Sequence, residues 1–238
     1  MPDVLVDDDG TIRVYYIGQG IQANKEENTA VAFSQDGGKS WTYRLPTYVN
    51  FPNHRDPSDP DVVRLSDGTY RMYFTYSVSA TKLGIAYADS PDGMTFTYKG
   101  GSFEDVADAV DSNTVLFNGV WHMFLGRERL PGQRHATSTD GRTFALASDE
   151  APKLPGRDYY SSDEVVEDGV IRLFAFSKTE GNARSFTSAD GTTWAAGDVA
   201  LTADDATTLG TGFLQDVAVA KLADGTWFMA YVSGMPTE

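Results

Sequence analysis

Acidic side chains recur in this chain at one kind of place, the start of an apolar run that leads into a glycine turn. Asp3 opens Val4-Leu5-Val6, and Asp59-Pro60-Asp61 opens Val62-Val63. Asp108 and Asp111 precede Ser112-Asn113-Thr114-Val115. Ser162-Asp163-Glu164 leads into Val165-Val166, and Gln215-Asp216 into Val217-Ala218-Val219. One such acid is unremarkable, because Asp favours turns. If the runs converge on one axis, several carboxylates come together. Crowded carboxylates repel, so one stays protonated while another is ionised, the division of labour that acid/base cleavage of a glycosidic bond requires.

Other groups could join them. His54 and His135 could line a sugar pocket, and Tyr159 and Tyr160, just ahead of the fourth run, could stack on a sugar ring. His122 alternates within Trp121-His122-Met123-Phe124 as a strand residue. Arg127, Arg129 and Arg134 follow the third hairpin, where pairing with the chain's many acids is the ordinary use of an arginine. Asp7-Asp8-Asp9-Gly10 has the look of a calcium loop but lacks the glutamate at its twelfth position, and reads as a turn. No phosphate loop, nucleophile elbow or zinc signature is present. No metal or cofactor is expected.

The elements that must position these residues are repeats. Ser34-Gln35-Asp36-Gly37, Ser90-Pro91-Asp92-Gly93, Ser138-Thr139-Asp140-Gly141 and Ser188-Ala189-Asp190-Gly191 recur at spacings of 56, 48 and 50 residues. Each is followed by an aromatic: Trp41, Phe96, Phe144 or Trp194. Asp accepts from turn amides, Gly takes the positive-φ position, and the aromatic anchors the turn in a core. A second pattern, an apolar run, a glycine turn and an aromatic-rich run, occurs five times, around Gly10, Gly68, Gly119, Gly169 and Gly225. Asp67-Gly68, Asn118-Gly119, Asp168-Gly169 and Asp224-Gly225 are hairpin signals, and no segment sustains a helical period. About 50 residues of four strands is one propeller blade. The expectation is an all-β, five-bladed propeller in one domain, 1–238. Its blades run roughly 1–48, 58–100, 108–148, 161–198 and 214–238, the last short of its outer strands. That open edge calls for a partner or a further segment to cover it.

Composition narrows the partners. The chain has 238 residues with 34 acids against 19 bases, a net charge of −15, and no cysteine. An acidic surface repels phosphate backbones, which disfavours nucleic acid. No apolar stretch is long enough to span a membrane. Without cysteine there is no disulfide, thiol nucleophile or zinc–thiolate site. No signal peptide opens the chain. A secreted or periplasmic setting fits a carbohydrate substrate, any leader then being absent here.

The Ser-x-Asp-Gly turns resemble the Asp-box of sialidases and other propellers, where the motif is structural. Asp59-Pro60-Asp61-Val62-Val63-Arg64-Leu65, followed by Asp67-Gly68-Thr69-Tyr70-Arg71-Met72-Tyr73-Phe74, resembles an inner strand of the five-bladed glycoside hydrolases, the arabinanase, β-xylosidase and invertase group. The resemblance implies a glycoside hydrolase with Asp59 as base or nucleophile, Asp111 as modulator of its partner's pKa, and Glu164 as general acid. Asp3, Asp61, His54, Tyr160 and Asp216 would then bind substrate. A shifted register gives those roles to Asp3, Asp59 or Asp61, and Asp111, with no glutamate. Two other readings stay open: a sialidase-like hydrolase, and a non-catalytic carbohydrate-binding or interaction propeller.

Overall fold

The computed structural model describes residues 1–19, 27–52, 57–104, 108–127, 132–206 and 214–233. It holds five sheets in chain order. The first is β1 (Asp3–Val6), β2 (Ile12–Gln19), β3 (Glu27–Ser34) and β4 (Thr42–Arg44). The second is β6 (Ser58–Arg64), β7 (Tyr70–Ser79), β8 (Lys82–Ser90) and β9 (Thr95–Phe103), with β5 (Thr47–Val49) added parallel to β9 on its outer edge. Residues 47–49 thus cross to the second sheet although the repeat spacing assigns 47 and 48 to the first unit. The third sheet is β10 (Val110–Phe117), β11 (Val120–Gly126), β12 (Arg134–Ser138) and β13 (Ala145–Ser148). The fourth is β14 (Tyr160–Glu167), β15 (Val170–Ser177), β16 (Asn182–Ser188) and β17 (Ala195–Thr202), followed by the single turn α1 (Ala203–Ala206). The fifth has two strands among the described residues, β18 (Leu214–Lys221) and β19 (Trp227–Ser233).

The innermost strands β1, β6, β10, β14 and β18 pack side by side, and β18 returns to β1, so the ring closes. This is the expected five-bladed propeller with a short last blade. Hairpin chemistry explains the blades locally. Asn118-Gly119 and Asp168-Gly169 take consecutive positive φ values (50° and 79°, 52° and 77°), the conformation of a two-residue hairpin turn matching strand twist.

The core is five apolar layers between blades rather than one centre. Tyr15 and Val31 of the first blade meet Met72, Phe74 and Phe96 of the second. Tyr73 and Ile85 meet Met123, Leu125 and Phe144, and Phe117 and Phe124 meet Leu173, Phe186 and Trp194. Phe174 meets Leu214 and Val217, and Ile12 and Val14 meet Ala218 and Ala220.

The Ser-x-Asp-Gly turns, between the third and fourth strands of their blades, fasten these layers. Asp92 Oδ1 accepts from the Ser90 hydroxyl and from the amides of Met94 and Thr95, and the other three turns repeat the pattern. The aromatic that follows lies edge-on against the second strand of the preceding blade: Phe96 on Tyr15 (6.3 Å, 78°), Phe144 on Tyr73 (5.7 Å, 85°) and Trp194 on Phe124 (5.6 Å, 74°). The Tyr15 and Tyr73 hydroxyls donate to Gly93 O and Gly141 O of the same turns. Trp41 closes the series against Phe228 at 5.7 Å. Replacing buried Trp194 by Ala removes a fastener and is expected to cost about 3–5 kcal/mol in denaturant unfolding.

Behind Trp194, His122 and His135 are buried and stacked 7° from parallel, with His122 Nδ1 2.9 Å from His135 Nε2. One ring donates and the other accepts, so the accepting ring is neutral. Burial depresses both, and the neighbouring His122 adds to the effect on His135, which falls to about 4. Their contribution to stability is therefore complete above pH 6.5, the ordinary histidine value, and is lost as pH falls towards 4. A His135→Gln variant cannot take up that proton. Its Tm is expected to gain on wild type as pH drops from 7 to 4, which thermal melts at stepped pH check.

Candidate active site

The inner strands carry their acids in two tiers, and strand register separates them. Asp3 pairs with Tyr15, Asp61 with Tyr73, Asn113 with Phe124, Asp163 with Phe174 and Ala218 with Ala230, so these five are equivalent. Two residues earlier stand Asp59, Asp111, Ser161 and Asp216. A bulge lies between the two positions on β6, β10, β14 and β18. In three of those bulges the earlier residue is left-handed: Asp59 (φ 50°), Asp111 (φ 53°) and Asp216 (φ 48°). Aspartate tolerates that backbone better than most residues, and it re-aims the side chain from the pleat into the mouth of the ring.

The later tier joins blades. Asp3 accepts from its own neighbour, Val4 N (2.8 Å), and from Val62 N on the next inner strand (2.7 Å). Asp163 does the same with Glu164 N (2.8 Å) and Val219 N (2.6 Å). Asp61 faces Thr114 of β10, leaving its Oδ2 without a hydrogen-bond partner in the protein. Glu164, at the Val62 position, is buried with both carboxyl oxygens unpartnered. These four acids line one cavity of about 640 Å³. Burial is the main cause that raises each of them. Asp3 is pushed up to about 7 despite its two amide donors. Glu164 is held well above the carboxylate range by burial and then by Asp163, Asp61 and Asp3.

Two residues of the earlier tier, Asp111 and Asp216, line a second cleft of about 450 Å³ with Asp158, Tyr160, Phe176 and Lys178. Asp111 is in hydrogen-bonding contact with Asp59. Burial, then the charge of Asp59, lift Asp111 to about 7. The Met1 amino group donates to Asp59 Oδ1 at 3.2 Å. Asp216 stands near both: its charge adds to the rise of Asp111, and it is itself raised by burial first and by Asp59, against the opposing charges of the Met1 amino group and Lys178. The Tyr160 hydroxyl donates to Asp111 Oδ2 at 3.4 Å.

The structure thus brings Asp59, Asp111, Asp216 and Tyr160 together, and sets Glu164 with Asp3 and Asp61 in the other tier. His54 and Arg129 lie outside the described residues. Tyr159 turns into the fourth blade, donating to Asn182 Oδ1 at 2.8 Å and packing on Phe186. Arg127 holds Asp149, and buried Arg134 donates to Asp108 O at 2.7 Å. Asp7 and Asp9 serve Arg13 and the Thr11 amide, as a turn requires. Among the described residues no three His, Asp or Glu side chains converge to hold a metal ion. Lys178 and the clamp role of Asp163 were not anticipated. Lining up Asp3-Val4, Asp61-Val62 and Asp163-Glu164 on the apolar pair that follows is the signal that finds the clamp.

No family model matches the chain, and no curated protein does. Solved structures match it over nearly its whole length. A thermostable family-43 glycoside hydrolase superposes at TM-score 0.70, with 14% identity, covering 98% of this chain and 82% of that one. An α-L-arabinofuranosidase from Clostridium thermocellum gives 0.70 with 15% identity, 97% and 80%. An endo-arabinase from Bacteroides thetaiotaomicron gives 0.66 with 17% identity, 97% and 87%. At these identities the likeness is one of fold.

Glu164 provides a test of the buried tier. Its folded-state value lies above its unfolded one, so its penalty is absent below about pH 4.5 and grows as pH rises. Glu164→Gln removes an ionisable group and costs no carboxylate hydrogen bond. Its Tm is expected to exceed wild type at pH 8, by roughly 2–4 °C for each kcal/mol recovered, and to match it at pH 4.

Proposed function

We propose that this propeller is a glycoside hydrolase that works in the cleft at the starts of its inner strands. One observation carries the reading: three carboxyls, Asp59, Asp111 and Asp216, gather at the starts of the inner strands close enough to act on one another, and Asp111 and Asp216 line one cleft. A glycosidic bond breaks through an oxocarbenium-like state. It needs a proton delivered to the leaving oxygen and negative charge at the anomeric carbon or on its attacking water. Asp111, at about 7, still holds its proton near neutrality and is the general acid. Asp59 is its hydrogen-bonding partner. Asp216, raised by burial but with the Met1 amino group and Lys178 favouring its ionised form, supplies the second carboxylate. The acid role passes from Glu164 to Asp111 in this reading, because Glu164 lies in the other tier.

The fold likeness to an arabinofuranosidase and an endo-arabinase makes a carbohydrate the natural substrate and arabinosides the first to try. Ser161 favours a second reading. The fourth blade places a buried hydroxyl where three others place an acid, which suits a sugar-binding propeller without turnover.

Aryl arabinosides and xylosides, with the matching oligosaccharides, separate the two. Asp111→Asn is expected to fold as wild type and lose about 10²–10⁴ in kcat while still binding sugar. Wild-type protein that binds oligosaccharide and releases no product leaves the binding reading standing and removes the hydrolase one.

A further inference from the structure

The Tyr160 phenol reaches across a blade boundary to Asp111, and three features hold it there. The first is Gly126, the last residue of β11, paired with Val110 just before Asp111. A Cβ built on Gly126 meets the Tyr160 hydroxyl oxygen at 1.7 Å and its ring carbon Cζ at 3.0 Å. Any side chain at 126 therefore occupies the place of the phenol. The second is Gln133 of the third blade, buried and bound to Ser161, the residue after Tyr160. Gln133 Nε2 donates to Ser161 Oγ (2.6 Å), and its Oε1 accepts from Ser161 N (2.8 Å). This clasp fixes where β14 begins. The third is Phe176, paired with Tyr160 across the strands, its ring centroid 5.8 Å away.

We infer that Tyr160 is a positioning residue which, by donating to Asp111 Oδ2, reserves Oδ1 as the oxygen that carries the transferable proton. A phenol is a donor at any pH at which the carboxyl titrates, so the oxygen it faces is kept as an acceptor. The acid proton is then held on one oxygen in one direction. A freely rotating carboxyl would divide its proton between two. The groups that bear on Asp111 come from every side: Asp59 on β6, Asp216 on β18, the Met1 amino group, the Thr75 hydroxyl on β7 and Tyr160 on β14. Of these, Tyr160 is the neutral hydroxyl donor to the carboxyl itself, since Thr75 Oγ1 accepts from the Asp111 amide. The inference rests on Asp111 being the acid only for its effect on rate, and not for the bond.

Tyr160→Phe and Gly126→Ala break the bond in different ways, the first by deleting the hydroxyl and the second by displacing it. Losing a donor to the ionised form raises the titration of Asp111. A ¹³C-detected titration of its carboxyl carbon is expected to move up by about half to one pH unit in Tyr160→Phe. Gly126→Ala should move it in the same direction, and the double variant no further than Tyr160→Phe alone. With a cleaved substrate, the alkaline limb of the kcat profile should follow the same shift, and kcat should fall about tenfold while KM holds. An unmoved titration in folded Tyr160→Phe overturns the inference and leaves the hydrolase reading untouched. A shifted titration in a protein with no turnover supports the Tyr160 assignment and counts against that reading. Should Gly126→Ala fail to fold, Tyr160→Phe decides alone.

Discussion

Five strands that meet around an axis present backbone amides to one another at an angle no sheet ladder can satisfy. The rest of the propeller depends on how those amides are paired. Here carboxylates do it: Asp3 and Asp163 each take one amide from their own strand and one from the next blade. An ionised group in a dry place is costly alone, and two amide donors offset part of that cost. The remainder shows as the upward drift of every acid in the tier, Asp3 included. The axis is therefore a compromise in which hydrogen bonds across blades are bought with crowded negative charge.

The same residue type does different work two positions earlier. A strand advances about 3.3 Å per residue, so the tiers are separated by roughly 7 Å, and the bulge between them turns the earlier side chain outward. The later Asp residues are fixed by the amides they bind. The earlier ones, in left-handed backbone, are tied to each other, to Tyr160 and to the Met1 amino group, contacts that a ligand can displace. Scaffold and chemistry are thus divided within single strands.

The blades were legible because their causes are local. Asp-Gly and Asn-Gly turns make hairpins wherever they stand, and the period of the Ser-x-Asp-Gly turns counts blades without any knowledge of contacts. The pairing of Asp59 with Asp111 was legible too, since both open equivalent strands. The place of Glu164 was not. It stands one residue past the register of Asp3, Asp61 and Asp163, at the place Val4 and Val62 hold, three residues beyond the position of Asp59 and Asp111. A one-residue offset in a strand changes which wall a side chain faces. The stacking of His122 on His135 also escaped, because two histidines thirteen residues apart meet only through the pairing of β11 with β12.

Contact between β1 and β18 joins residues more than 200 positions apart, while every other inner-strand contact joins neighbouring repeats. Such a chain can order its blades one after another through short-range encounters, yet must hold both ends in place before the circle shuts. The entropy of that closure grows only with the logarithm of chain length, but nothing repays it until Trp41 finds Phe228 and Ile12 finds Ala218. The final blade, with two strands among the described residues, has little sheet of its own to propagate from. Its order is inherited from the blades on either side, so the seam between last and first is where cooperativity of the whole domain is decided.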